Sequence, residues 1–92
     1  MDFRLKLFYT VAIRLNFTKA AAELYISQPA VSKHIQELEE TYKTKLFERN
    51  GSKIALTPAG HLLLQHTKSI FDIYREIEFD MSSFVTKRQG LL

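Results

Sequence analysis

Ninety-two residues with a formal net charge of +3 and no cysteine allow one compact domain and exclude a disulfide framework, a thiolate metal site and thiol redox chemistry. At this length a single core is marginal, so a second copy or an appended element is expected to add buried surface. The charge is unevenly placed: residues 1–57 hold nine lysines or arginines against six acids, and residues 58–92 hold four against four.

The apolar run Leu7 to Ile13 is short, and Asp2, Arg14 and Lys19 around it argue against a secretory signal. No stretch approaches the roughly 20 apolar residues that span a bilayer, so a soluble, cytoplasmic protein without a membrane partner is expected. Phe3, Leu7, Phe8, Val11, Ala12 and Leu15 recur at helical spacing, which predicts an amphipathic helix from residue 2 to about 14 with that stripe inward. Thr18 is the expected N-cap of a second, short helix in which Ala20 to Ala22 allow close approach and Leu24 anchors; it should end near Tyr25.

Ser27 repeats the capping logic, with Pro29 in the first turn of a third helix, where a missing N–H is harmless. Val31, Ile35, Leu38 and Tyr42 form its inward face, whereas Gln28, Ser32, Lys33 and Gln36 cluster on another side near its N-terminal end. Two short helices meeting at a corner, with polar side chains opening the second, read as a helix-turn-helix. Leu46 to Arg49, Asn50-Gly51 and Ser52 to Leu56 then predict a hairpin with a two-residue turn at Asn50-Gly51, pairing Arg49 with Ser52, Glu48 with Lys53 and Phe47 with Ile54.

Thr57-Pro58 opens a last helix that nothing interrupts until about Lys87, and roughly 30 residues would extend about 45 Å. Leu63, Ile70, Ile77 and Phe84 repeat every seven residues along it, with Tyr74 and Met81 beside them, forming a coiled-coil-like seam suited to a second copy. The expected architecture is mainly α: a winged helix-turn-helix of three helices and a β-hairpin over 1–57, then a dimerisation helix over 58–92.

A helix entering a major groove by its N-terminal end needs side chains that donate and accept hydrogen bonds, because each base pair displays its own pattern of such groups. Gln28 suits this best, through two bonds to adenine; Pro29 or Ala30 can pack on a thymine methyl, and Ser32, Lys33 and Gln36 can reach bases or phosphates one turn along. Thr18 at the start of the second helix suits a phosphate, and Arg49 and Lys53 flank the hairpin tip. Each is equally a cap or a solvated charge when taken singly; the order of the elements carries the reading of a double-stranded DNA binder. The alternative is a helical dimerisation module that binds nucleic acid only non-specifically.

Catalysis has little support. No Ser/His/Asp set, metal-ligand cluster or Gly-rich phosphate loop is present; His61 and His66 are five residues apart and His34 is remote, so neither a metal nor another cofactor is expected.

Phe17 to Leu24, Ser27 to Ser32, Leu46 to Arg49 and Leu56 to Gly60, in that order and spacing, resemble the N-terminal region of LysR-type bacterial transcriptional regulators, and the resemblance covers essentially the whole chain. It implies a winged helix-turn-helix and a linker helix that dimerises antiparallel with its twin. By the same match Gln28, Pro29, Ser32 and Lys33 carry over to groove recognition, and Thr18, Gln36, Arg49 and Lys53 to phosphate or wing contacts. Lys33 stands where family members often have arginine, which removes the bidentate fork suited to guanine. Family members also continue into a large effector domain that binds a small-molecule inducer and completes a tetramer, so this chain is expected to be the DNA-binding region of such a protein.

Overall fold

The computed structural model describes residues 2–90, with side chains to residue 85. Its elements run α1 (Phe3–Arg14), α2 (Phe17–Leu24), α3 (Gln28–Tyr42), β1 (Phe47–Asn50), β2 (Lys53–Leu56) and α4 (Pro58–Gly90). The expected mainly helical architecture is present.

Helix ends are set by short polar caps. The Asp2 carboxylate accepts the Arg4 N–H at 2.8 Å, and the Ser27 hydroxyl accepts the Ala30 N–H at 3.2 Å at the start of α3. At α2 the cap is Asn16, whose side-chain oxygen accepts the Lys19 N–H at 2.8 Å; Thr18 lies inside the first turn instead. Asn16 sits in extended backbone (φ −158°) immediately before the helix, where a short amide reaches the open N–H group. The first three helices each end on a non-glycine residue in the left-handed region: Leu15, Tyr25 and Lys43. Each such residue costs about 1 kcal/mol, a strain that core packing must offset.

The core joins Leu7, Phe8, Val11 and Ala12 of α1, Phe17, Ala20 and Ala21 of α2, Val31, Ile35 and Leu38 of α3, and Leu46 and Phe47 at the hairpin's entrance. Small Ala20 and Ala21 let α2 lie close to its neighbours, and Phe47 meets Phe8 with ring centroids 5.6 Å apart. Phe3 and Leu15 are exposed at the two ends of α1, and Tyr42 is 50% exposed at the end of α3, so the inward stripes are shorter than their apolar spacing suggests. Arg14 Nε donates to Glu23 Oε2 at 2.7 Å, tying α1 to α2 on the surface. That hydrogen bond is the main cause that holds the Glu23 carboxyl below its ordinary range and Arg14 above its own.

The hairpin forms with a register shifted from the expected one. Phe47 pairs with Leu56, Glu48 with Ala55, Arg49 with Ile54 and Asn50 with Lys53, so the turn residues are Gly51 and Ser52. Gly51 has φ +62° and Ser52 is not in the left-handed region, which is the pattern of a turn with glycine at its first central position. Ile54 and Leu56 share a strand face, so the shift keeps an apolar partner opposite Phe47.

Helix α4 starts on the hairpin. Thr57 Oγ1 donates to the Lys45 carbonyl at 2.6 Å and accepts the Gly60 N–H at 3.0 Å, capping the helix while stitching it to the segment that leads into β1. Ala59, Leu63 and Leu64 pack on the core, Thr67 is fully buried, and Phe71 meets Tyr9 of α1 at 4.6 Å between centroids. Past Phe71 the helix leaves the body, giving a molecule 61 Å in its longest dimension. None of the described helices is long and apolar enough to cross a membrane.

Candidate nucleic-acid interface

Helix α3 places Gln28, Ser32 and Gln36 at successive i, i+4 positions, hence on one stripe, with Pro29 and Lys33 on the adjoining one. Gln28, Pro29, Lys33 and Gln36 are exposed and Ser32 is half-buried. Gln28 Nε2 donates to Ser32 Oγ at 3.0 Å, so the two side chains hold each other along the helix face and can exchange this bond for one to another molecule.

Beside this stripe lies a cleft of about 800 Å³ between α3 and the hairpin, where Ser32 and Gln36 face Arg49 across a floor of Phe17, Ile35 and Phe47. A smaller groove of about 260 Å³ brings Thr18 to the other side of Arg49, with Asn16, Gly51 and Ser52. The structure thus gathers Ser32, Gln36, Arg49 and Thr18 around the hairpin's inner edge. Lys53 is exposed on β2 opposite Asn50, at the tip and outside both clefts.

Electrostatics favour a polyanion here. Glu23 is paired with Arg14, Glu37 with Arg4 at 3.4 Å, and Glu39 lies 3.7 Å from Lys45 Nζ. Glu39 also accepts the Leu46 N–H at 2.8 Å, so its charge fixes the α3 to β1 turn. Among the described residues Lys33, Arg49 and Lys53 have no acidic partner within ion-pair distance. Their charge is available to a ligand. Glu48 also lines the larger cleft and is exposed, which sets a negative charge on its side of the ladder.

Two features had no counterpart in the sequence reading. Arg49 lies with its guanidinium carbon 4.6 Å from the centre of the Phe17 ring, a contact between residues 32 positions apart that spacing does not show. Glu39 carries no local signal in the sequence, and only the fold brings it under the next loop.

On α4 the seam residues divide. Leu63 is half-buried against its own core, and Tyr74 lies exposed on the flank nearest it. Ile70 is 36% exposed and partly covered by its own chain, whereas Ile77 (51% exposed), Met81 (59%) and Phe84 (58%) are largely exposed, and Ile73 and Leu62 extend the same apolar face. Among the described residues no cluster of three or more His, Cys, Asp or Glu is placed to hold a metal ion.

A corner of two helices that presents the second by its N-terminal end, with a hairpin at its side, is the geometry of a winged helix-turn-helix DNA-binding domain. Residues 3–61 match the model of the bacterial regulatory helix-turn-helix proteins of the LysR family, and the chain belongs to that family. It is 42% identical over 91 residues to the HTH-type transcriptional regulator CitR of Bacillus subtilis, covering 98% of this chain and 30% of CitR. A crystallographic LysR-family transcriptional regulator from Eggerthella lenta is 47% identical, covering 74% of this chain and 97% of that one, with a TM-score of 0.70. The BenM DNA-binding domain in complex with benA site 1 DNA is 32% identical over 91% of this chain and 99% of that one, with a TM-score of 0.82. The chain spans less than a third of the length of the curated relatives it matches.

Proposed function

We propose that the chain reads duplex DNA sequence-specifically as the DNA-binding part of a cytoplasmic bacterial transcriptional regulator, acting as a binding protein and not as a catalyst. The observation that carries this is the exposed Gln28, Ser32 and Gln36 stripe at the open end of α3, beside a hairpin whose cations are unpaired among the described residues. Residues 1–57 act as the reading unit, with Gln28, Pro29, Ser32 and Lys33 toward base edges, Thr18, Gln36 and Lys53 toward phosphates, and Arg49 at the wing. Residues 58–92 act as the linker that joins two copies through α4. Two recognition helices then address half-sites about 34 Å apart, one helical turn, or a multiple of that. In a longer protein with an effector domain the dimers pair into tetramers.

Selection of bound sites from a random duplex library tests this directly. Gln28→Ala is expected to relax base preference at one position of the recovered site by about 1 to 3 kcal/mol. An unchanged preference favours the non-specific dimerisation module. Lys53→Ala is expected to weaken binding to every sequence alike and to lower the slope of log affinity against log salt by about one. A slope equal to the parent's removes Lys53 from the phosphate contacts.

A further inference from the structure

The wing's inner half is seated by Phe47, which meets Phe8 at 5.6 Å and Phe17 at 6.1 Å between ring centroids. Its outer half has much less to hold it. Asn50, Gly51, Ser52 and Lys53 are exposed, and a two-stranded ribbon is marginal by itself. Arg49 stands at the boundary, paired with Ile54 in the last but one rung of the ladder. Its guanidinium carbon lies 4.6 Å from the Phe17 ring centre, within the range at which a cation is held over an aromatic face. Phe17 is the first residue of α2 and 8% exposed, so the ring cannot follow a moving wing. Arg49 and Phe17 both line each of the two clefts, the one with Ser32 and Gln36 and the one with Thr18.

We infer that Arg49 is a positioning residue, whose stack on Phe17 fixes the wing tip relative to α2 and α3 and so sets where Lys53 meets the duplex. This rests on the DNA-binding reading for its consequence, although not for its geometry. An arginine is required because its flat, weakly hydrated guanidinium lies on the ring, whereas a lysine ammonium is a compact and strongly hydrated point charge. A direct phosphate contact would make no such demand. Lysine serves there as well.

The test compares Arg49→Lys, Phe17→Leu and the double variant by two readouts. One is backbone order at Gly51 and Ser52 from ¹⁵N relaxation of the free protein; the other is affinity for a random-sequence duplex pool. Each single variant is expected to lower the order parameter at the tip below about 0.6 while core amides stay near 0.85. Each is expected to weaken affinity about two- to fivefold, with the double variant no weaker than either single one. Arg49→Lys lies on the surface and keeps the core, so it carries the test if Phe17→Leu fails to fold. An Arg49→Lys protein with parental tip order overturns the inference, as does one with parental affinity. If the parent itself does not bind the duplex pool, the DNA-binding reading fails, and the relaxation data still decide whether Arg49 holds the wing.

Discussion

Gly60→Ala is expected to destabilise the fold by about 2 to 3 kcal/mol and to lower Tm by roughly 10 to 20 °C. Within an ordinary helix the same change would stabilise by up to about 1 kcal/mol, since alanine restricts the unfolded chain and favours helix. Here a Cβ on Gly60 would lie 2.1 Å from the Leu46 carbonyl oxygen and 2.8 Å from Leu56 Cδ2. The leucine methyl can turn away; the carbonyl cannot. It accepts the Thr57 N–H at 3.1 Å, the Leu46 N–H is held by Glu39 at 2.8 Å, and Thr57 Oγ1 holds the neighbouring Lys45 carbonyl at 2.6 Å. Relief therefore requires the first turn of α4 to lift off the hairpin, which loosens Ala59 and Leu63 from the core. Thermal unfolding followed by circular dichroism measures the effect. A Tm equal to or above the parent's would mean that α4 is not seated on Leu46 by close backbone approach.

The helices were legible because a short polar residue precedes each and their buried faces have a helical period. Their junctions were less so. Three helix ends rest on Leu15, Tyr25 and Lys43 in the left-handed region, where no glycine marks the stop. At α2 the expected cap was Thr18, and the cap is Asn16 two residues earlier, whose extended backbone (φ −158°) no local spacing reveals. The hairpin turn moved one residue along because Gly51 serves as the first turn residue and Asn50 remains in the ladder. That choice depends on twist and on seating Phe47 against Phe8, neither of which is local. The shared face of Gln28, Ser32 and Gln36 on α3 was readable because i, i+4 spacing along one helix suffices to place it. The Arg49 stack on Phe17 and the Glu39 brace were not, since each joins residues from different elements.

The largest effect on association is expected from Ile70→Glu and Ile77→Glu together, which should convert the proposed dimer to monomers, raising the dissociation constant by at least about a thousandfold. Along α4 the seam is apolar, with Ile70 partly covered by its own chain and Ile77, Met81 and Phe84 largely exposed, so it is the surface a second copy can cover. In a two-fold pair every substitution enters the interface twice, and the two Glu changes place four carboxylates on a surface with no lysine or arginine among its apolar positions. Each buried, unpaired carboxylate costs several kcal/mol, more than the roughly 4 kcal/mol that a thousandfold change represents. Phe79→Glu is the control. Phe79 is 71% exposed, more than any seam residue, yet it lies two positions from both Ile77 and Met81, roughly 200° around the helix. If bare hydrophobicity drove association, Phe79→Glu would weaken it as well; if the seam does, Phe79→Glu leaves the dimer intact. Sedimentation velocity separates these outcomes, and a dimer that survives both seam substitutions would place the interface elsewhere. On the proposed dimeric reading, monomers would bind a site of two half-sites only as tightly as one, while the base preference assigned to Gln28 would be retained.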